Sequence, residues 1–315
     1  MDVCVGKQRQ IRWLIGPVIG NIILWSVATV LLSGEPVLFG IAALAYGAGL
    51  RHALDADHLA TIDSALRLDV HRRDGSAGAG LFFSLGHSTV VLAMCALFFF
   101  VGESIQHHVH LYMMQWSVIG NLVSIVFLLA AGMMTLLDGR REVFHGRRGR
   151  LLILCRGAMH YFSARPWGLY LLGLLFALGF DTTAEVSLLG VSATQLMRGV
   201  SVWRVLLLPC LFTAGMVLCD TLDGIGAWRL YRQSWCNMFL QRRYRLYLTF
   251  ISASMAISIS IIQINYMIKG DLFIKNSNNG CFYFVISRIN IGLFFSFIMV
   301  FVWIVFSIRR RCVKR

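Results

Sequence analysis

Eight apolar runs, each long enough to cross the roughly 30 Å hydrocarbon layer of a bilayer, take up most of this 315-residue sequence. They are Ile11–Leu32, Val37–Ser64, Gly80–Val101, Tyr112–Leu137, Trp167–Gly190, Val205–Ala227, Leu246–Ile268 and Ile289–Ile308. Only 14% of residues are charged, where a soluble chain carries about 25%. In lipid every backbone polar group must bond within its own segment, so runs of this length form helices. The expected fold is an all-α polytopic membrane protein of about eight transmembrane helices, a single integral membrane domain over 1–315. The first run is too long for the apolar core of a cleavable leader and reads as the first span.

An even number of spans puts both termini on one side, and Lys and Arg choose the side. Of 29 such residues, 23 fall in the two termini and the loops after the second, fourth and sixth spans. Both termini are therefore expected in the cytoplasm. The longest basic connection, 138–165, divides the chain into two four-helix halves, between which no repeat is evident. Reporter fusions after Arg315 and within 147–150 should both report cytoplasm, and an external signal from either would overturn the eight-span reading. The net charge of +14 suits this loop distribution and implies no nucleic acid; the partner it implies is the lipid bilayer. The eight cysteines are scattered without a CxxC pair, which argues against a disulfide framework or a thiolate cluster.

Four spans carry ionisable groups in their interiors. The second holds Arg51, His52, Asp55, Asp57, His58 and Asp63; the third holds His87; the fifth holds Asp181 and Glu185; the sixth holds Asp220 and Asp223. On one continuous helix at about 100° per residue, His52, Asp55, His58, Asp63 and Arg51 share an arc of roughly 140°, with Asp57 turned away. Asp181 with Glu185, four apart, and Asp220 with Asp223, three apart, would each share a face. Such groups cannot face lipid, so these four spans are expected to surround a polar centre inside an apolar shell of the others.

That centre offers three imidazoles and up to seven carboxylates against one arginine. Uncompensated carboxylates are costly at membrane depth, and a mobile cation would relieve them. Imidazole mixed with carboxylate, without thiolate, suits a borderline divalent transition metal; ligand type does not choose among Ni, Co and Zn. His107, His108 and His110 read as a solvated outer loop.

These residues resemble the nickel/cobalt transporter family. The second-span segment RHALDADH fits its HX4DH motif, with His52, Asp57 and His58 in the fixed positions. FSLGHSTVV (Phe83–Val91), LGFDTTAE (Leu178–Glu185) and GMVLCDTLDG (Gly215–Gly224) follow in order, on the spans already marked by their charges. The resemblance implies a high-affinity nickel, and possibly cobalt, uptake permease of the cell membrane (the inner membrane in a Gram-negative source). It is not an enzyme and needs no cofactor, and Ni2+ or Co2+ is its substrate. It implies that His52, Asp55, Asp57, His58 and His87 are required as metal residues, with Asp63, Asp181, Glu185, Asp220 and Asp223 along the pathway. The chain departs from the family at Ser64, where Asn is usual, at Leu54, where Val or Phe is common, and at Val217 and Cys219. Export of a metal, or an intramembrane metalloenzyme, are the alternatives. No HExxH and no Walker A motif occurs in the sequence.

Overall fold

The computed structural model describes residues 6–68, 78–100, 103–141, 157, 161, 165–178, 183–235 and 241–273. Among them there is no strand. The helices are α1 (Gly6–Leu31), α2 (Pro36–His52), α3 (Ala56–Leu68), α4 (Ala79–Phe100), α5 (Glu103–Arg141), α6 (Pro166–Ala177), α7 (Thr183–Met197), α8 (Val202–Trp235) and α9 (Gln241–Phe273). Four stretches are single helices long and apolar enough to cross a membrane: Ile11–Leu31, Ala79–Leu97, Val118–Leu137 and Val202–Arg229. The bent pair α2 and α3 makes a fifth, and α6, Leu188–Met197 and Thr249–Asn265 are shorter apolar helices. The chain is thus a multi-pass membrane protein. The expected eighth span lies outside the described residues, as do both chain ends, Asp181 and most of 138–165.

The second span is not the continuous helix expected from its sequence. It breaks at Ala53–Asp55, and its halves are bent by 48°. No proline or glycine causes this. The last turn of α2 closes through Leu54 N–H to the Arg51 carbonyl and Asp55 N–H to the His52 carbonyl, while the Asp55 carbonyl accepts Leu59 N–H to start α3. Asp55 is therefore the cap residue of α3, a position that suits aspartate. In the fifth span the described residues form α6, which ends at Ala177, and α7, which begins at Thr183. Glu185 stands in the first turn of α7; Asp181, expected to share its face, lies outside the described residues. In the sixth span, by contrast, α8 runs unbroken through Pro209.

Helices α2, α4, α6 and α8 pack backbone against backbone. A Cβ at Gly173 of α6 would overlap the Phe83 carbonyl of α4, and one at Gly86 of α4 would overlap the Tyr170 carbonyl of α6. Gly49 of α2 and Gly215 of α8 meet the Phe212 and Tyr46 carbonyls in the same way. Lipid supplies no hydrophobic drive between helices, so small residues that allow close approach set these interfaces. Apolar clusters fill the space around them. One joins Ala28 of α1 and Leu32 just beyond it with Ala42, Val91 and Phe212, and another joins Ile62 and Leu66 of α3 with Phe83, Phe176 and Trp228. The outer face of α1 leaves Ile15, Ile19, Ile22 and Ile23 exposed, as a lipid-facing shell helix should.

Candidate metal centre

Three imidazoles meet where the broken helices end. His52 is the last residue of α2, His58 lies in the first turn of α3, and His87 sits mid-way along α4; all three are buried. One nitrogen from each lies within 4.8 Å of the others. The ring centroids are 4.7 Å apart for His52 and His58, 4.7 Å for His58 and His87, and 5.1 Å for His52 and His87. Phe212 packs on His52 and Phe83 on His58, with centroids at 5.6 and 5.0 Å, so neither ring is free to turn.

Glu185, 1% exposed, enters this group from α7. Its Oε1 lies 2.8 Å from His87 Nε2 and 3.5 Å from His52 Nε2, and those two nitrogens are 3.1 Å apart. Two nitrogens and one oxygen form a triangle with no side chain inside it. A first-row divalent ion binds such donors at about 2.0–2.2 Å, and the donor-to-donor edges of its shell are then roughly 3.0–3.4 Å. The triangle's edges of 2.8, 3.1 and 3.5 Å bracket that range.

Two further carboxylates set the ring orientations. His52 Nδ1–H donates to Asp55 Oδ2 at 3.1 Å, and His58 Nδ1–H donates to Asp220 Oδ2 at 3.2 Å. Each bond holds the proton on Nδ1 and turns the Nε2 lone pair toward the centre, the usual means by which carboxylates orient metal-binding histidines. His58 Nε2 is buried with no hydrogen-bond partner, and so is Asp220 Oδ1. Orphaned acceptors in low dielectric cost free energy, and a cation at the centre would satisfy the imidazole. The fold also favours a cation there. The C-terminal end of α2 presents partial negative charge at His52, while the N-terminal turn of α7 stabilises the Glu185 carboxylate.

The structure therefore brings His52, His58, His87, Glu185 and Asp220 together, from the four spans singled out by charge. It rearranges others. Asp63, placed on the common arc by the continuous-helix reading, faces away from the centre. It accepts from Arg67 Nε at 3.3 Å and from the Ser252 hydroxyl. Arg51 joins no ion pair with a described carboxylate. Asp57, in the first turn of α3, accepts the His58 backbone N–H at 3.1 Å. Asp57, turned off the shared arc of a continuous helix, thus meets the peptide of a centre histidine. Asp223 is half-buried one turn beyond Asp220. Cys219 packs into the α1–α2–α8 cluster and contributes nothing to the triangle. Buried hydroxyls of Thr61, Ser84 and Ser88, on the helices that carry the histidines, lack partners. No periodicity argument singled them out, because serine and threonine are common in spans.

The sequence comparisons agree with this chemistry. The family described as "High-affinity nickel-transport protein" matches residues 38–309. The chain is 38% identical to the "High-affinity nickel transport protein" of Cupriavidus necator over 275 residues, 79% of this chain and 78% of the relative. It is 34% identical to the "Nickel transporter NixA" of Staphylococcus aureus, over 82% and 83% of the two chains. To the "Cobalt transport protein NhlF" of Rhodococcus rhodochrous it is 34% identical, over 80% and 79%. No solved structure matches the chain.

Proposed function

Because the chain belongs to the high-affinity nickel-transport protein family, we propose that it is a permease carrying Ni2+, with Co2+ as a competing substrate, across the cell membrane into the cytoplasm. The observation that carries this reading is the donor triangle of His52, His87 and Glu185 at 2.8–3.5 Å, with the unpartnered Nε2 of His58 beside it. The ion would exchange part of its hydration shell for three imidazoles and one carboxylate. In the metal-free protein His87 Nε2–H is shared between Glu185 and His52, so metal entry displaces that proton. A negative-inside potential favours inward movement by about 2.3 kcal/mol per charge per 100 mV, hence about twice that for a divalent ion. A transported ion must leave again, which separates this reading from a resident metal in an enzyme.

Uptake of radioactive nickel by cells expressing the protein tests the proposal, with the same cells lacking it as the reference. Equimolar Co2+ should compete strongly, while Mg2+ and Ca2+ should compete little, because those ions prefer all-oxygen shells. Strong inhibition by Mg2+ would remove the histidines from the pathway.

The orienting carboxylates give a graded expectation. Asp220→Asn should weaken uptake by about 10–100-fold, the usual loss when a ligand's hydrogen-bond partner is altered. Asp57→Asn should cost less, since an amide oxygen can still accept the His58 N–H and the helix-end charge it removes is worth about 0.3–1 kcal/mol. Uptake at matched protein levels checks both, and a larger loss at Asp57 than at Asp220 would reverse the roles of the two carboxylates.

A further inference from the structure

We infer that the two halves of the centre are an inverted repeat, α2–α3–α4 against α6–α7–α8, and that the transported ion is released to one side or the other by exchange of α3 and α7. The inference rests on the transport reading.

Sequence and packing each show the repeat. Tyr46, Gly49-Leu50, Ala53-Leu54, Asp57 and Ala60 recur in the same register as Tyr170, Gly173-Leu174, Ala177-Leu178, Asp181 and Ala184. Phe83-Ser84 and Gly86 recur as Phe212-Thr213 and Gly215. The backbone contacts pair the same positions. Gly49 meets the Phe212 carbonyl as Gly173 meets that of Phe83, and Gly215 meets Tyr46 O and Leu50 N as Gly86 meets Tyr170 O and Leu174 N. Nothing in the register of the sequence obliges the contacts to coincide, so the agreement is independent support. The first repeat begins at the second span and the other at the fifth, so the chain crosses the membrane in opposite directions in the two. This is the inverted topology that places a binding site at the repeat interface. The side chains of the centre are not repeated: the donors His52, His58 and His87 lie in the first unit, the donor Glu185 and the orienting Asp220 in the second. One site therefore sits at the centre of a symmetric frame.

Equivalent elements in unequal surroundings reveal the motion. Helix α3 is buried without interruption from His58 to Leu66. It is docked on α5 and α9 through Ala60, Leu128, Met255, Ala256 and Ile259. Its polar side is fastened by Ser252 to Asp63, and by Arg67 to Thr249 at 3.2 Å. Among the described residues, helix α7, its counterpart, packs on α8, α2 and α4 and leaves Gly190, Val191, Thr194 and Met197 exposed. A repeat of opposite direction held in one of two arrangements has this asymmetry. In the other arrangement α7 is docked and α3 is released, while the glycine contacts stay as pivots. Helix α3 lies toward the cytoplasmic end by the distribution of Lys and Arg, so the arrangement with α3 docked is closed on that side.

A cross-link across α3 and α9 tests the exchange. The pair Ala60→Cys and Ala256→Cys is introduced where the eight native cysteines are replaced by serine, and the protein is oxidised in lipid vesicles. Nickel uptake should fall to background on oxidation and return on reduction, while nickel binding persists. Because docking of α3 holds α7 released, backbone amides of 188–197 should exchange with deuterium faster in the oxidised than in the reduced protein. If this pair fails to fold, Ala60→Cys with Met255→Cys serves in its place. Unchanged uptake after oxidation, or α7 exchange indifferent to the lock, would overturn the inference. Absence of nickel uptake in the reduced protein would instead overturn the transport reading, and the exchange measurement would still judge the repeat.

Discussion

His87→Ala is expected to abolish nickel uptake while the protein still reaches the membrane at the native level. His87 Nε2 makes the two shortest edges of the donor triangle, at 3.1 Å from His52 Nε2 and 2.8 Å from Glu185 Oε1. Its removal takes away a nitrogen donor and leaves a buried carboxylate with one histidine fewer to pair with. The loss should exceed the about 10–100-fold seen when only a ligand's hydrogen-bond partner is changed. Insertion should be unaffected, because deleting a polar side chain from a span lowers the cost of placing it in lipid. Uptake in vesicles, at protein levels matched by immunoblot, is the measurement. Near-native uptake would show that the ion passes elsewhere.

Gly173→Leu is expected to remove the folded protein altogether. A Cβ at this position would overlap the Phe83 carbonyl and press on the amide nitrogen of His87. Both are backbone atoms, so relief requires α4 and α6 to part. Overpacking a core typically costs about 1–3 kcal/mol when side chains can yield, and in this contact they cannot. The centre should be lost with the interface, since His87 and Phe83 belong to it. Size-exclusion of the detergent-extracted protein should show aggregate in place of the native peak. Gly20→Leu is the control: a Cβ there meets nothing within 4 Å, and the native peak should remain. A native profile for Gly173→Leu would mean that the close approach of α4 and α6 is not required.

Much of this centre was legible in the residue types. Charge at membrane depth is expensive enough that its placement marks function. His52, His58, His87, Glu185 and Asp220 come from the four spans so marked. The geometry between them was not legible, for a physical reason. A shared arc needs an unbroken helix through RHALDADH, which contains no proline or glycine to warn otherwise. The break arises because the Asp55 carboxylate engages His52 while its carbonyl caps α3, a competition between local bonds that periodicity cannot register. The break sends Asp63 to Ser252 and Arg67, and it turns Asp57 toward the His58 peptide. The closeness of Glu185 to His87 and His52 is not legible in the sequence, because those partners are 98 and 133 positions away and only the fold joins them. The repeat is hidden in the sequence for a related reason. It does not relate the four-helix halves on either side of 138–165, but starts at the second and fifth spans and carries different ligands in each unit.

The most direct test is X-ray absorption at the nickel K-edge of the purified protein loaded with one equivalent of Ni2+. The spectrum should fit a shell of nitrogen and oxygen donors only, with the multiple-scattering pattern of three imidazoles, as His52, His58 and His87 with Glu185 would give. A sulfur scatterer from Cys219 or another thiol, or a shell without imidazole, would contradict the histidine centre.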